Sequence, residues 1–500
     1  MREVALSGWR RVEHGFDAAF GSALNPLRHL GAIGFLLFWL LALSGIYLYA
    51  VLDTSAEGAY RSIDRLSREQ WYLGGLLRSL HRYAADAFVV VMGLHLLREW
   101  LFGHYSGFRR FSWLTGVPLL AFAFVSAVGG FWLNWDQLGQ FSAIATAELL
   151  DALPVFGSPL TRNFLSTAAV SDRLFSLFVF VHLGVPLLLV FGLWFHIQRI
   201  SRAAVFPPRR LALGCVAALL ALALVQPVMS HAPADLSIVP GALALDWLLL
   251  FVHPLAYASS VNAVWLLMSA ALLLLFALPF VPQRAARVPV AVVDPANCNG
   301  CRRCFDDCPY AAVTMVPHPN QRIGRQMALV NADLCASCGI CAGACPSSTP
   351  FRSVAELRTG IDMPSAPIDA LRKQLQAALG GEPKLVVFGC DRGARVATLA
   401  APDVATFSLM CTGMLPPSFV EYALRDGATG VLVSGCREGG CEFRLGQRWT
   451  EERLNGSREP HLRDSVPHEQ IATAWADAGD EASLRTALEQ LRHRAALVHG

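Results

Sequence analysis

The sequence predicts a multidomain chain in three parts. These are an all-α transmembrane helical bundle of about six spans, a small α+β domain rich in cysteine, and an α/β domain with a parallel sheet. Three observations carry this prediction. First, 54% of the 500 residues are hydrophobic and only 16% are charged, with a mean hydropathy of +0.42. That is too apolar for an ordinary soluble enzyme, and the apolar runs lie before residue 283. Second, Cys298 to Pro346 reads C-x2-C-x2-C-x3-C-P twice. Third, β-rich runs alternate with helical stretches after residue 382, and cysteines close the runs. The length allows about three domains, placed at 1–285, 286–351 and 382–500 with a linker at 352–381. The net charge of +3 gives no reason to expect nucleic acid.

Residues 2–21 fit a helix on a membrane surface, with Val4, Leu6, Trp9, Phe16 and Phe20 toward lipid and Arg10 and Arg11 toward water. No apolar core of a cleaved signal peptide is present there. Six runs are long enough to span a bilayer, at about 30–51, 76–101, 113–133, 174–199, 210–229 and 260–282. Two shorter apolar segments, 138–150 and 246–257, fit short helices in the loops. Arg98, Arg109 and Arg110 follow the second span, Arg199, Arg202, Arg209 and Arg210 the fourth, and Arg284 and Arg287 the sixth. The alternate loops carry Asp53, Glu57, Asp64, Glu69, Glu148 and Asp151. The positive-inside rule then puts both termini and all later domains in the cytoplasm.

The second span carries His81 and His95, the fourth His182 and His196. Both spacings are fourteen residues, which is about 21 Å and nearly four turns, so each pair lies close to one face. Ionisable side chains within spans are costly and suggest function. Four at equal spacings argue against mere helix contacts. Antiparallel packing pairs His81 with His182 on the outer side and His95 with His196 on the inner side. Such bis-imidazole sites suit haems that carry electrons and leave no position for oxygen.

Here the sequence resembles cytochrome b of the cytochrome bc complexes. Gly31 and Gly45, and Gly116 and Gly130, also lie fourteen apart, matching that family's haem-contact glycines. Arg78 and Arg98 match basic positions near the haem propionates, and Pro186 follows His182 by four as in the family. The stretch 130–157 reads like the family's third-span exit and loop helices. The resemblance implies two b-type haems, quinone as substrate, and a homodimer as the family's usual state. The family's Pro-Glu-Trp-Tyr motif becomes Leu245-Asp246-Trp247-Leu248, and a family glycine becomes Ser142. Asp246 is then either the quinol proton acceptor or the cap of the following short helix. Cys215 reads as an inert span residue.

In the C-x2-C-x2-C-x3-C-P pattern three thiolates wrap one cluster and the fourth serves the other. One [4Fe-4S] cluster therefore takes Cys298, Cys301, Cys304 and Cys345, and the other Cys335, Cys338, Cys341 and Cys308. Zinc sites use two CxxC pairs rather than two such quartets. The stretch 288–350 resembles bacterial two-cluster ferredoxins. So many cluster thiols imply a reducing compartment.

After an amphipathic helix at 367–379, the runs 384–390, 404–411 and 430–436 read as strands and 418–427 as a helix. Cys390, Cys411 and Cys436 end those strands, where parallel sheets place their sites, and Cys441 follows. The layout resembles the delta subunit of methyl-viologen-reducing hydrogenase, through Met410-Cys411-Thr412-Gly413, the strand with its GC-x4-C (Gly435 to Cys441), and the run at 475–479 before a closing helix. That resemblance implies one [2Fe-2S] cluster on Cys390, Cys411, Cys436 and Cys441, with zinc or a redox disulfide as the other readings of four thiols. A family cysteine is Gly393 here. It also implies an FAD-containing partner subunit of the heterodisulfide-reductase type. No G-x-G-x-x-G fingerprint follows a strand, so no nucleotide site is expected. Together the parts suggest a membrane electron-transfer subunit of a bacterial cytoplasmic membrane, linking quinone to a cytosolic flavoprotein. The alternative is a membrane anchor for a flavin or hydrogenase complex without its own quinone turnover.

Overall fold

The computed structural model describes residues 2–155, 157–166, 169–198, 203–238, 242–281, 289–321, 325–346, 357–380 and 384–499. Arg199, Arg202, Arg284 and Arg287, used in the topology argument, lie outside them. The chain divides into two compact units, Met1–Gln198 with Ala203–Pro282, and Gln283–Gly500.

The first unit is helical. Its helices are α1 (Arg2–Phe20), α2 (Leu30–Val51), α3 (Gly58–Arg68), α4 (Leu76–Leu101), α5 (Arg110–Asn134), α6 (Gln137–Asp151), α7 (Asp172–Gln198), α8 (Arg209–Val225), α9 (Val252–Ala258) and α10 (Val261–Ala277). Among the described residues, four helical stretches are long and apolar enough to cross a membrane by length and composition: Leu30–Val51, Gly107–Asn134, Asp172–Gln198 and Val261–Phe280. The other two expected spans differ from these in composition or length. Helix α4 carries Arg78, Arg82, Asp86, Arg98 and Glu99. Helix α8 has 17 residues and stops at Gln226-Pro227, because the residue before proline is pushed out of the helical region.

Helix α2 packs along α4, and α5 along α7. Between them lie Ile33, Leu37, Phe38, Phe88, Val89, Ala123 and Leu189. Large apolar side chains also point outward, among them Leu43, Ile46, Phe180, Leu187, Phe191, Leu266 and Leu273. A helix that is apolar all round needs lipid or protein on every side. Helix α5 ends where Trp135 turns left-handed at φ 46°. Asp136 then starts α6 by accepting the Gly139 N–H at 2.9 Å, the usual helix-cap bond. The short helix expected over 246–257 is confined to α9, and turns occupy the residues before it.

The second unit begins with a repeat. Strand β1 (Val292–Val293) pairs antiparallel with β4 (Ile361–Asp362), and β2 (Val313–Pro317) with β3 (Gln326–Val330). The one-turn helices α11 (Arg303–Asp306) and α12 (Ile340–Gly343) each carry the third cysteine of a quartet. Around the second cysteine of each quartet the backbone turns left-handed twice, at Gly300 and Arg302, then at Ser337 and Gly339. Such turns aim successive N–H groups into a shared concavity, an arrangement suited to anions and iron–sulfur sites. Within the segment expected as a linker, the described residues 357–380 are packed: β4 closes on β1, and α13 (Ile368–Leu379) buries Ile368, Leu371, Leu375 and Leu379.

The rest of this unit is a parallel four-stranded sheet in the order β6-β5-β7-β8. The strands are β5 (Leu385–Cys390), β6 (Val404–Leu409), β7 (Gly430–Gly435) and β8 (Ile471–Trp475). Helices α14 (Ser418–Arg425), α15 (Gly446–Leu454) and α16 (Glu481–His499) complete it. Central strands β5 and β7 are buried at every residue, as a parallel sheet covered on both faces requires. Val386 and Phe388 join the core containing Phe419 and Val420, and Leu385 and Val387 the core containing Leu484 and Leu491.

Candidate redox centres

In the bundle the four expected glycines meet the four expected histidines one to one. A Cβ added to Gly45 would lie 3.1 Å from His81 Cε1, and one on Gly130 3.0 Å from His182 Cε1. Gly31 stands likewise 3.4 Å from His95 Cε1, and Gly116 3.2 Å from His196 Cε1. The missing side chains thus make room for the imidazoles. The rings of His81 and His182 lie 6.2 Å apart, centroid to centroid. Two metal–imidazole bonds of about 2 Å each, plus the ring radii, need roughly that gap.

Hydrogen bonds fix the tautomers. Ser44 Oγ lies 3.0 Å from His81 Nδ1 and 2.6 Å from the Leu40 carbonyl. Thr115 Oγ1 lies 3.1 Å from His196 Nδ1 and 2.9 Å from the Phe111 carbonyl. A hydroxyl that donates to a carbonyl can only accept from the ring, so Nδ1 carries the proton. His182 Nδ1 faces the Ser126 carbonyl at 2.8 Å and must donate as well. Nε2 is left with its lone pair free, the state a metal ligand needs. Sequence reasoning missed Ser44 and Thr115. Their signal was present: each stands immediately before a predicted glycine.

His81 and His182 open into a cavity of about 430 Å³, which Gly45, Gly130, Arg78, Arg82 and Asp246 also line. That volume is in the range of cofactor and small-molecule sites. Arg78 is buried and donates to Ser67 Oγ (2.8 Å) and Ser230 Oγ (2.9 Å). Arg98 instead donates to Glu13 of α1 at 2.9 Å and lies over the Phe102 ring. Asp246 has two engagements. Its Oδ1 accepts from the N–H groups of Leu248 and Leu249, and its Oδ2 pairs with Arg82. Asp246 thus caps the turn at Leu248 and Leu249 and not the short helix, since α9 begins at Val252 with Phe251 at its N-cap and no side-chain cap there. Ser142 accepts from Trp132 Nε1 at 3.2 Å and is fully buried.

In the second unit the structure brings the eight cysteines together in two groups of four. Cys298, Cys301, Cys304 and Cys345 line one small cavity. Cys308, Cys335, Cys338 and Cys341 line another. Backbone N–H groups point at the sulfurs: Ala328 at Cys298 (3.4 Å), Ala312 at Cys308 (3.2 Å) and Gly360 at Cys345 (3.3 Å). Burial, and then the neighbouring cysteines, push the Cys304 and Cys338 thiols up to about 12. Such sets ionise together only around positive charge, which fits ligation of iron.

The third cysteine set sits at the C-terminal edge of the parallel sheet. Strand β5 has β6 on one side and β7 on the other, and the crevice at such a branch point is where α/β sheets bind ligands. Cys390 ends β5, Cys411 follows β6, Cys436 follows β7, and Cys441 comes from the next loop. Cys390 Sγ is 4.0 Å from Cys436 Sγ. Hydrogen bonds from Cys411 and Cys436 hold the Cys390 thiol down to about 4. The same bonds push the Cys411 and Cys436 thiols up. The group shares protons because its four sulfurs crowd one pocket. At Gly393 an added Cβ would lie 3.0 Å from the Ala476 carbonyl. The place of the family's additional cysteine is therefore closed by backbone.

Three family models match three successive segments. Residues 16–204 match "Cytochrome b/b6/petB", residues 297–349 the "4Fe-4S dicluster domain", and residues 389–496 "Methyl-viologen-reducing hydrogenase, delta subunit". Among solved structures, "Hyperthermophilic respiratory Complex III" is similar at 20% identity and TM-score 0.42, over 51% of this chain and 75% of that one. A membrane cytochrome b of this type binds haem, and a dicluster domain binds [4Fe-4S] clusters. The chain is thus a fusion of a cytochrome b-like membrane bundle, a dicluster ferredoxin-like module and a hydrogenase delta-like domain, built for membrane electron transfer.

Proposed function

We propose that the chain passes electrons between the quinone pool and a cytosolic FAD-containing flavoprotein of the heterodisulfide-reductase type. It would lie in a bacterial cytoplasmic membrane with its cysteine-rich unit on the cytoplasmic side. Two haems, two [4Fe-4S] clusters and one [2Fe-2S] cluster supply one-electron storage when bound. His81 with His182 and His95 with His196 hold the haems, and the three cysteine sets hold the clusters. The observation that carries this reading is the one-to-one matching of four glycines to four histidines. A second observation, the cavity shared by His81, His182 and Asp246, supports quinone exchange at the outer side. The chain's part in that exchange is to seat the quinone headgroup, orient it with Arg82, and exclude bulk water.

The engagement of Asp246 with Arg82 and with the turn before α9 favours the alternative reading, an anchor without quinone turnover. Reconstitution with a quinol analogue separates the two. The proposal expects haem reduction by quinol and oxidation by quinone, and loss of turnover in Asp246→Asn. Haems inert to both would overturn it. Full turnover in Asp246→Asn would remove that carboxylate from the site.

A further inference from the structure

Two of the cysteine sites in the second unit share a wall. Ile340 stands between Cys338 and Cys341 and is fully buried. Its Cγ1 is 2.9 Å from the Cβ position of Gly413, and its Cδ1 is 3.6 Å from that of Gly446. A Cβ added to Gly446 would run into Cys411 Sγ and lie 3.6 Å from Cys441 Sγ. One isoleucine side chain therefore separates the second quartet from the pocket of Cys411 and Cys441. Two more glycines of that quartet's loop face the same way. A Cβ added to Gly339 would lie 2.8 Å from Met414 Cγ, and one added to Gly343 would meet the Gly413 carbonyl. Glycines beside the first quartet face their own module, Gly300 against Gln326 and Gly360 against Asn297 and Cys298.

A buried cation locks this junction. Arg453 is 1% exposed. Its Nη1 donates to the Gly413 carbonyl at 2.8 Å and its Nη2 to Asp307 Oδ2 at 2.5 Å. Asp307 precedes Cys308, and Gly413 lies two residues after Cys411. Arg458 holds the other oxygen of Asp307 at 2.7 Å. One guanidinium thus ties the chain beside a second-quartet ligand to the chain beside a strand-end ligand.

We propose that the Cys308/Cys335/Cys338/Cys341 site, and not the Cys298/Cys301/Cys304/Cys345 site, is the electron-transfer neighbour of the Cys390/Cys411/Cys436/Cys441 site, joined through Ile340, with Arg453 as the positioning residue. This rests on the assignment of clusters to those twelve cysteines. A single electron crosses, one centre being oxidised as the other is reduced. No bond changes and no proton moves. Quinol or reduced flavin at the ends of the chain is the reductant, and quinone or oxidised flavin the oxidant.

The test is electron paramagnetic resonance of the full chain in detergent, purified without oxygen and reduced with dithionite. The wild type should show a [2Fe-2S] signal split by a neighbouring paramagnet. Cys335→Ser should lose the splitting, and Cys301→Ser should keep it. The reverse result, or an unsplit signal with all clusters reduced, would overturn the proposal while leaving the cluster assignment standing. Absence of any [2Fe-2S] signal, with iron and sulfide analysis to match, would overturn both. Should Cys335→Ser fail to fold, Arg453→Gln serves, because it keeps every thiol. Its iron content should be unchanged and its splitting weaker, with Arg453→Lys intermediate. Unchanged splitting in Arg453→Gln would refute the positioning role.

Discussion

A hydroxyl one residue ahead of a glycine does two things in the bundle. Ser44 and Thr115 each donate to their own helix and accept from an imidazole, while the glycine beside each lets that imidazole approach. Partners of this kind typically contribute 10–100-fold to metal affinity. Ser44→Ala should therefore weaken the haem at His81 by roughly that factor, and Thr115→Val the haem at His196, measured by haem titration of the stripped protein. Gly130→Val is more severe. Its Cβ would stand 3.0 Å from His182 Cε1 and drive the ring from its place, so one of the two haems should be lost and the other kept, as read by pyridine haemochrome. The histidines and glycines were legible because both repeat at a helical interval on adjacent segments. The hydroxyls were harder to see, since serine and threonine are common in apolar helices for their own i−4 bonds.

At the scale of elements, the crossed quartets make a sharp prediction. Cys345 lines the cavity of Cys298, Cys301 and Cys304, far back in the sequence. Cys298→Ser combined with Cys345→Ser should thus lose one cubane's worth of iron, no more than either change alone. Cys304→Ser combined with Cys335→Ser should lose two. Residues that act in one site are strongly non-additive, and residues in separate sites add. Iron analysis decides. The crossing was readable from spacing alone, and so were the strand ends that carry Cys390, Cys411 and Cys436. The pairing of β1 with β4 was not, because two-residue strands carry no periodicity and their register is set by what lies between them. Nor was the exact extent of α9, since the turn before it is shaped by Asp246 reaching Arg82 on another helix.

At the scale of the molecule, the cysteine-rich unit behaves as one body and not as two modules on a string. Residues 352–381 were expected to link domains, yet the strand and helix described within them are built into the unit. The Asp307–Arg453 pair joins residues 146 apart and is nearly sealed from water. Removing one partner of such a pair typically costs about 3–5 kcal/mol. Asp307→Asn should lower the stability of this unit by that order, seen as unfolding at lower denaturant. No local pattern in the sequence marks either residue, because the contact exists only once the sheet is folded. Replacing Cys335 or Cys341 by Ser should also stop electron exchange between haem and flavin while both haem spectra stay intact. Rapid-mixing absorbance would show it.

The β1–β4 pairing has a consequence for biosynthesis. Strand β4 lies beyond both quartets, and Gly360 supplies an N–H to Cys345 from just before it. Synthesis from Cys298 to Asp362 takes roughly 3–13 s at about 5–20 residues per second. The eight thiols emerge from the ribosome before the strand that closes over them. Arg453 and the junction it locks arrive later still. The order of synthesis therefore gives an iron–sulfur donor an open pair of loops to load, and closes them behind the delivered clusters.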